Sequence, residues 1–409
     1  MRRKMTIHEA ALAVVRHLRQ NGHEAYWAGG SVRDMLLNRD PEDIDVATEA
    51  PPERIIELFS RTRKVGAKFG VVMVQQGTHW IETATFRTDT DYQDGRRPVS
   101  VEFTTAEHDA QRRDFTINGL FYDPIEEKVI DYVGGQSDLD AGVIRAIGDP
   151  GQRFAEDHLR MLRAVRFATR FGFEIEPATA EAIGQQAGKI TRISPERIHE
   201  ELEKMLGHRS RAKAVEEIAR HGLLEHLWPG SHWPADRLQR ALGVIGALPE
   251  DVDFVSVMAA LLHELSVDVA KKICRELRCS NRQIDDTGWL IENRNRFDEA
   301  KSMSLAEFKK LLAHPRADDL LALYKAICES QNKSLDVYVA VGQRRDSIPP
   351  AEVAPLPLVT GEDLIELGLE PGPQFKQILD KLYDAQLNNE LITRRQAIEQ
   401  MKTYINRQH

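Results

Sequence analysis

Apolar and polar residues follow two different patterns along the chain, and the change between them lies near residue 150. Before it, short apolar stretches at residues 24–28, 71–75 and 80–87 lie between glycine- or proline-containing turns, which predicts strands. From Gln152 to the C-terminus, apolar residues recur every three or four positions, which predicts helices. Strands followed by a long helical region predict an α+β chain.

Several local patterns define individual elements. Thr6 and Glu9 have capping-box spacing at the start of a helix over residues 6–20. A second helix is predicted from Pro51-Pro52 to Phe59. Residues 88–100 lack an apolar period, so we expect a mobile loop there, whereas residues 127–147 predict two short strands joined by a glycine turn.

One amphipathic helix is predicted over the stretch FAEDHLRMLRAVRFATRF, which begins at Phe154. Its apolar residues occupy one half of the helical wheel. The other half contains four charged residues at three-residue intervals, which is also the pattern of an ordinary solvated helix face. Those residues are Asp157, Arg160, Arg163 and Arg166. Asp157 and Arg166 lie at opposite edges of this row, so they cannot both contact one small group of ligand atoms.

Composition indicates an ordinary globular protein of more than one domain. The chain has 409 residues, 42% hydrophobic and 29% charged, with a formal net charge of −9. It contains no apolar run long enough for a membrane helix, so no membrane association is expected. Three cysteines without ligand spacing predict a reducing, cytoplasmic location. The sequence does not indicate an oligomeric state.

The most informative stretch is AGGSVRDMLLNRDPEDID, residues 28–45. Asp43 and Asp45 would lie on the same face of a strand, and two such close carboxylates require a cation. Carboxylate oxygens are ligands that Mg²⁺ prefers, so we expect a Mg²⁺ site. Glu82, on the strand WIETATFR, is a possible third carboxylate.

The glycines before these aspartates fit the same interpretation. Gly29 and Gly30 would let backbone N–H groups approach a phosphate, and Arg33 would hold another of its oxygens. Ser31 is expected to cap the helix that follows. The stretch therefore predicts a site for a phosphate and a metal ion.

Three motifs in order resemble the class II nucleotidyltransferases, which include bacterial CCA-adding enzymes and bacterial poly(A) polymerases. They are AGGSVRD with DID, RRDFTIN, and EDHLRMLRAVRF. The segment VTGEDLIELGLEPGPQFKQIL also resembles the C-terminal unit of many CCA-adding enzymes. The resemblance implies a catalytic head with a small mixed sheet over residues 1–150, a helical neck over 151–235, a helical body over 236–348, and a linker with a tRNA-binding helical tail over 349–409.

The resemblance also implies roles for individual residues. Asp43 and Asp45 would bind Mg²⁺ and catalyse the reaction, and Gly30 and Arg33 would hold the triphosphate. Arg113 would contact the nucleotide. The remaining nucleotide contacts would come from the predicted helix, with base recognition by Asp157 and Arg160 and closure of the site by Arg163 and Arg166. The helical wheel places Arg166 better for phosphate or structural contacts than for the base.

The expected reaction is template-independent addition of C, C and A to the 3′ end of tRNA from CTP and ATP, with release of pyrophosphate. An Asp–Arg pair fits the edges of cytosine and adenine, so the order of addition would require a further conformational change, for which residues 88–100 are the candidate. Addition of only CC or only A, polyadenylation of RNA, and RNA binding without catalysis are the alternatives that the sequence leaves open.

Overall fold

The computed structural model describes residues 5–66, 70–93, 97–228, 231–300 and 302–406. The chain divides into two compact units, Met1–His232 and Trp233–His409. Within the described ranges, strands occur in the first unit and the second is helical, which confirms the predicted α+β class. No helix in those ranges has the length and apolar character required to span a bilayer.

The strands of the first unit form one main mixed sheet and two small ones. The main sheet has the order β3-β4-β5-β2-β1-β8-β9, in which β2 and β5 are parallel and the other neighbours antiparallel. The strands are β1 Ala25–Ala28, β2 Asp45–Thr48, β3 Thr62–Gly66, β4 Val71–Gln76, β5 His79–Thr85, β6 Arg87–Gln93, β7 Arg97–Phe103, β8 Leu120–Asp123, β9 Lys128–Asp131, β10 Val143–Ile144 and β11 Glu174–Ile175.

Helices of the first unit pack on both faces of this sheet and continue beyond it. They are α1 Ile7–Gln20, α2 Gly30–Leu36, α3 Pro52–Leu58, α4 Ala106–Gln111, α5 Gly135–Ala141, α6 Pro150–Glu156, α7 Arg160–Phe171, α8 Pro177–Gln186, α9 Pro195–Leu206, α10 Arg211–Arg220 and α11 Leu224–Leu227. The predicted capping box is present at the start of α1, where Thr6 and Glu9 each bond the other's backbone.

The two faces of the sheet have different partners. Val46 of β2 is buried in a core that includes α1, and Ile44 just before the strand is buried there too, as the alternation predicts. Ala47, on the opposite face of β2, packs in a smaller cluster with Phe121 of β8 and Ala110 of α4. Asp45 shares that second face because side chains of a strand alternate. The candidate site therefore lies on the face with the smaller core.

Several local predictions for the first unit are wrong. Residues 88–100 belong to a hairpin of β6 and β7, paired from Arg87 and Phe103 up to Gln93 and Arg97, and not to a loop; its tip, 94–96, lies outside the described residues. Residues 135–141 form a helix where a turn and strand are predicted, because Gly134 and Gly142 in left-handed conformations begin and end α5. The single helix predicted from Phe154 is two helices, α6 and α7.

Helices of the second unit follow the predicted periodicity. They are α12 Ala235–Ala247, α13 Phe254–Leu262, α14 Val267–Glu276, α15 Asn281–Asn293, α16 Leu305–Leu312, α17 Ala317–Ser330, α18 Asp336–Asp346, α19 Pro350–Val353, α20 Gly361–Glu366, α21 Pro373–Leu387 and α22 Arg394–Asn406. The stretch predicted as a linker contains the short helix α19. Beyond it, α20, α21 and α22 share their own core around Leu364, Ile378 and Met401.

Candidate active site

A cavity of about 470 Å³ in the first unit collects most of the predicted site residues. Its volume lies in the range of small-molecule sites, about 300–1,000 Å³. Asp43 and Arg166 are outside the lining, and the other predicted residues are within it. Those are Gly30, Arg33, Asp45, Glu82, Arg113, Asp157, Arg160 and Arg163.

Carboxylates form one end of the cavity. β2 and β5 are parallel, with Val46 beside Thr83, so Asp45 and Glu82 extend from adjacent strands. Burial, Glu82 and Asp43 together raise the pKa of Asp45 to about 7, and Arg113 opposes them. The protein atoms around Glu82 displace water and raise its pKa, to which Asp43 adds. Because Glu82 and Asp43 disfavour ionisation of Asp45, this end of the cavity has the charge distribution that a bound cation would relieve.

The glycine turn connects β1 to α2 and lies beside these carboxylates. Gly29 has φ of 71°, which disfavours any side chain, and a Cβ atom there would lie 2.7 Å from Nη1 of Arg113 and displace that guanidinium. Ser31 does not cap α2 as predicted, because Gly29 occupies the cap position and the Ser31 hydroxyl donates to the carbonyl of Ala28. The backbone can therefore approach a ligand closely at this turn.

Arg33 is buried and held on several sides. Its Nη1 donates to Oδ1 of Asn118 at 2.5 Å, and its Nη2 lies 2.8 Å from Oδ1 of Asp34. The guanidinium carbon also lies 5.1 Å from the ring centroid of Phe167 and 4.7 Å from that of Phe171. Stacking and hydrogen bonding fix the orientation of this cation before any ligand is present.

Arg112 and Arg113 share a single buried partner. Nη2 of Arg112 lies 2.8 Å from one oxygen of Asp109, and Nη2 of Arg113 lies 3.0 Å from the other. Burial alone would raise the pKa of Asp109, but Arg113 and Arg112 together lower it. Asp109 therefore fixes the orientation of both arginines at the cavity wall. Arg113 also donates to the carbonyl of Asn118 at 3.2 Å.

The predicted base-recognition pair, Asp157 and Arg160, lies at the break between α6 and α7. Asp157 ends α6 in an extended conformation, and its Oδ1 accepts from the N–H of Leu159 at 3.1 Å. Its Oδ2 accepts from Nη2 of Arg197 at 2.6 Å. Arg160 opens α7, where Nη1 donates to Glu156 at 2.6 Å and Nη2 donates to the carbonyl of Arg112 at 3.2 Å. Both side chains therefore meet the cavity in fixed orientations.

Arg163 and Arg166 of α7 do not belong to a solvated face. Arg163 lies 2.6 Å from Oδ2 of Asp114, and this contact together with hydrogen bonds outweighs burial and lowers the pKa of Asp114 to about 2. Arg166 is buried outside the cavity lining, where its Nε donates to Glu201 of α9 at 2.6 Å. The helical wheel favours phosphate or structural contacts for Arg166, and its ion pair with Glu201 is a structural contact.

Sequence reasoning missed Arg197, Glu201 and Asn118, which hold the predicted residues in place. For Glu201 an indication was present: it falls within the apolar stripe of α9, next to Leu202, and a charge there requires a partner. Asn118 is the last residue of the RRDFTIN motif, although no contact was assigned to it, and nothing in the local pattern around Arg197 indicates a role.

Chemically, the cavity has three parts. A carboxylate end suits a cation, a wall of fixed arginines suits a polyphosphate, and an Asp–Arg pair presents one acceptor and several donors to a planar polar edge. Across the described ranges, no three His, Cys, Asp or Glu side chains form a complete metal cage.

Three family models match successive parts of the chain. They are described as "Poly A polymerase head domain" at residues 25–145, "Probable RNA and SrmB- binding site of polymerase A" at 172–232, and "tRNA nucleotidyltransferase domain 2" at 255–401. Among curated relatives, the CCA-adding enzyme of Geobacillus thermodenitrificans is 35% identical over 404 residues, 95% of either chain.

Solved structures agree with these matches. A crystal structure of the Bacillus stearothermophilus CCA-adding enzyme in complex with CTP is similar with a TM-score of 0.80 and 29% identity, over 98% of this chain and 99% of that one. A Thermotoga maritima CCA-adding enzyme complexed with tRNA-CCA is similar in fold, with a TM-score of 0.68 and 22% identity over 96% and 94% of the two chains.

Proposed function

The chain belongs to the class II family of CCA-adding enzymes, and from that premise we propose how its residues perform the reaction. It is a nucleotidyltransferase that adds C, C and A to the 3′ end of tRNA from CTP and ATP and releases pyrophosphate. The observation that supports this function best is the single cavity in which carboxylates, fixed arginines and an Asp–Arg pair meet.

Enzymes of this family use divalent metal ions, and we propose Mg²⁺ as the ion, held by Asp43 and Asp45. The donor set fits, because burial and the charges of Glu82 and Asp43 raise the pKa of Asp45, and burial and Asp43 raise that of Glu82, so a cation would stabilise both ionised carboxylates. Bound there, the metal would activate the attacking 3′ hydroxyl and stabilise the leaving oxygen. Glu82 is placed to assist as a third carboxylate from the neighbouring strand.

The arginines bind the triphosphate that the RNA 3′ hydroxyl attacks at its α-phosphate. Arg33 and the backbone at Gly30 hold the phosphates, since the guanidinium is buried and already oriented by Asn118 and Asp34. Arg113 contacts the nucleotide from beside the same turn, since its guanidinium lies next to Gly29 and, like that of Arg33, donates to Asn118. This arrangement neutralises the charge of the leaving pyrophosphate without reorganisation of the side chains.

Asp157 and Arg160 select the base. An ionised carboxylate only accepts hydrogen bonds and a guanidinium only donates them. Cytosine and adenine each present an amino donor beside a ring-nitrogen acceptor, which matches this pair. Uracil and guanine present the opposite pattern and would leave polar groups unpaired. Arg163 and Arg166 support the site by fixing α7 against Asp114 and Glu201.

The remaining parts of the chain have roles that follow from the family. We propose that residues 151–235 act as the neck, 236–348 as the body, and 349–409 as a linker and tail that bind tRNA. Three free, buried cysteines support a cytoplasmic location, where thiols remain reduced.

Substitution of one metal-binding aspartate tests the proposal. Asp43→Ala should reduce nucleotide incorporation by about 10³-fold or more, because loss of a metal ligand costs several kcal/mol of transition-state stabilisation, while tRNA binding is retained. Asp40→Ala, an exposed aspartate in the same loop, is the matched control and should act like the wild type. Absence of incorporation by the wild type with Mg²⁺, or full activity of Asp43→Ala, would contradict the proposal.

A further inference from the structure

A second group of arginines lies in the first unit outside the cavity, and the reaction described above does not use it. Arg39 follows α2, Arg170 is near the end of α7, and Arg209 lies in the turn between α9 and α10. All three side chains are exposed. They come from three separate segments of the chain, so their proximity is a product of the fold.

These arginines differ from those of the cavity in their partners. In the described part of the chain, the guanidinium groups of Arg39, Arg170 and Arg209 form no ion pair with an aspartate or glutamate. By contrast, Arg33 is paired with Asp34 and Arg163 with Asp114. In a chain of net charge −9, neighbouring arginines without acidic partners are available to an anion from outside the protein.

The ring of Phe171 joins this group to the phosphate-binding end of the cavity. The guanidinium carbon of Arg33 lies 4.7 Å from the ring centroid and that of Arg39 lies 5.0 Å from it. Positive charge therefore continues directly from the cavity to the surface.

The same group extends to the α9–α10 turn. Burial lowers the pKa of His208, and the charges of Arg170, Arg209, Arg39 and Arg211 lower it further. All four arginines therefore lie close enough to His208 for their charges to act on it. Because that histidine is kept neutral, the positive charge of the group comes from guanidinium groups, which do not titrate near neutral pH.

We propose that Arg39, Arg170 and Arg209, named here the arginine track, bind phosphates of the RNA substrate's backbone along the surface that leads away from the cavity. This inference rests on the proposed function, which supplies the RNA. Guanidinium groups suit phosphodiester oxygens, and exposed cations on three segments suit a polyanion with regularly spaced charges. A single leaving pyrophosphate is small and already has Arg33 within the cavity.

Salt dependence of RNA binding provides the test. The full-length chain with Arg39→Ala, Arg170→Ala and Arg209→Ala is titrated with a tRNA transcript that lacks CCA, without nucleotide, between 50 and 200 mM salt. Each lost phosphate contact lowers the slope of log K against log salt concentration by about 0.7–0.9, so the triple variant should lose about 2–3 from the slope. Over that fourfold rise in salt, wild-type affinity should then fall roughly 20–40-fold more than that of the variant.

Two further variants control for charge and folding. Arg16→Ala, Arg61→Ala and Lys128→Ala remove the same net charge from exposed positions of the head outside the cavity lining and should leave the slope unchanged. Arg170→Ala with Arg209→Ala retains the contact of Arg39 with Phe171 and should still lose about 1.4–1.8 from the slope. The KM for CTP should remain at the wild-type value in all of them.

An unchanged slope in the triple and double variants would overturn the proposal. Weaker inhibition by pyrophosphate with unchanged RNA affinity would also overturn it, because it would assign the arginine track to the leaving group. Failure of the wild type to incorporate nucleotides would count against the proposed function alone, since the binding measurement requires no catalysis.

Discussion

Arg197 allows the proposed base selection to be tested without changing a residue that touches the base. Its Nη2 donates to Oδ2 of Asp157 at 2.6 Å, and the other oxygen of that carboxylate is held by the N–H of Leu159. In Arg197→Ala the carboxylate keeps one of its two bonds and can rotate. Base selection should then weaken although Asp157 and Arg160 are intact.

The size of the effect follows from the exposure of the pair. A hydrogen bond to a charged group contributes about 1.5–3 kcal/mol when it is shielded from water. The two side chains are 31% and 19% exposed, so we expect about 1–2 kcal/mol. That corresponds to a fall of about 5–30-fold in kcat/KM for CTP and ATP alike, because both bases offer an amino group to Asp157.

The assay is single-nucleotide addition to tRNA substrates that end before the first C and after CC, with CTP, ATP and UTP supplied separately. Discrimination against UTP should decrease in Arg197→Ala, and Arg197→Lys should restore part of it. Arg192→Ala, an exposed arginine preceding α9, serves as the control and should have no effect. Equal loss of activity with all three nucleotides would refute the reasoning, because Arg197 would then act only through folding.

Three further predictions concern the turn, the buried ion pair and the hairpin. Gly29→Ala should raise the KM for nucleotides about 10-fold, since its Cβ would displace Arg113 at a cost of 1.4 kcal/mol or more. Gly22→Ala, also at positive φ but with open space around it, is the control and should keep the wild-type KM; equal KM values for the two variants would contradict this. Because the pKa of Asp114 is lowered from 3.8 to about 2 in the folded state, Asp114→Asn should lose about 2–3 kcal/mol of unfolding free energy above pH 4, and its difference from the wild type should vanish as the pH falls through 2. Urea unfolding of the first unit at several pH values measures this difference, and a difference independent of pH would count against the ion pair. Deletion of residues 90–97 should spare CTP addition and impair ATP addition, and an equal loss of both would show that the hairpin has no part in the choice between them.

Local patterns predicted the parts of the fold that depend on neighbouring residues. The capping box of Thr6 and Glu9 was predictable because both partners lie within one helical turn. The alternation around Asp45 likewise placed Ile44 and Val46 in the core. The hairpin of β6 and β7 was missed because its sequence has no apolar alternation, and cross-strand backbone bonds define it instead.

The ion pairs that hold the site residues in place could not be predicted in the same way. Asp157 with Arg197, Arg163 with Asp114, and Arg166 with Glu201 are separated by 40, 49 and 35 residues along the chain. Each pair forms only after α7 packs on its neighbours, so no local spacing indicates it. The break at Asp157 was also hidden, because the apolar period continues through α6 and α7 although the backbone does not.

The length of the product tests the central claim most directly. The enzyme is incubated with Mg²⁺ and a tRNA that ends at the discriminator base, with CTP, with ATP or with both, and the products are sized at single-nucleotide resolution. Our account predicts two additions with CTP alone and three with both nucleotides, ending in CCA. A single addition, a stop at CC with both nucleotides present, or a long ladder of adenosines would contradict it.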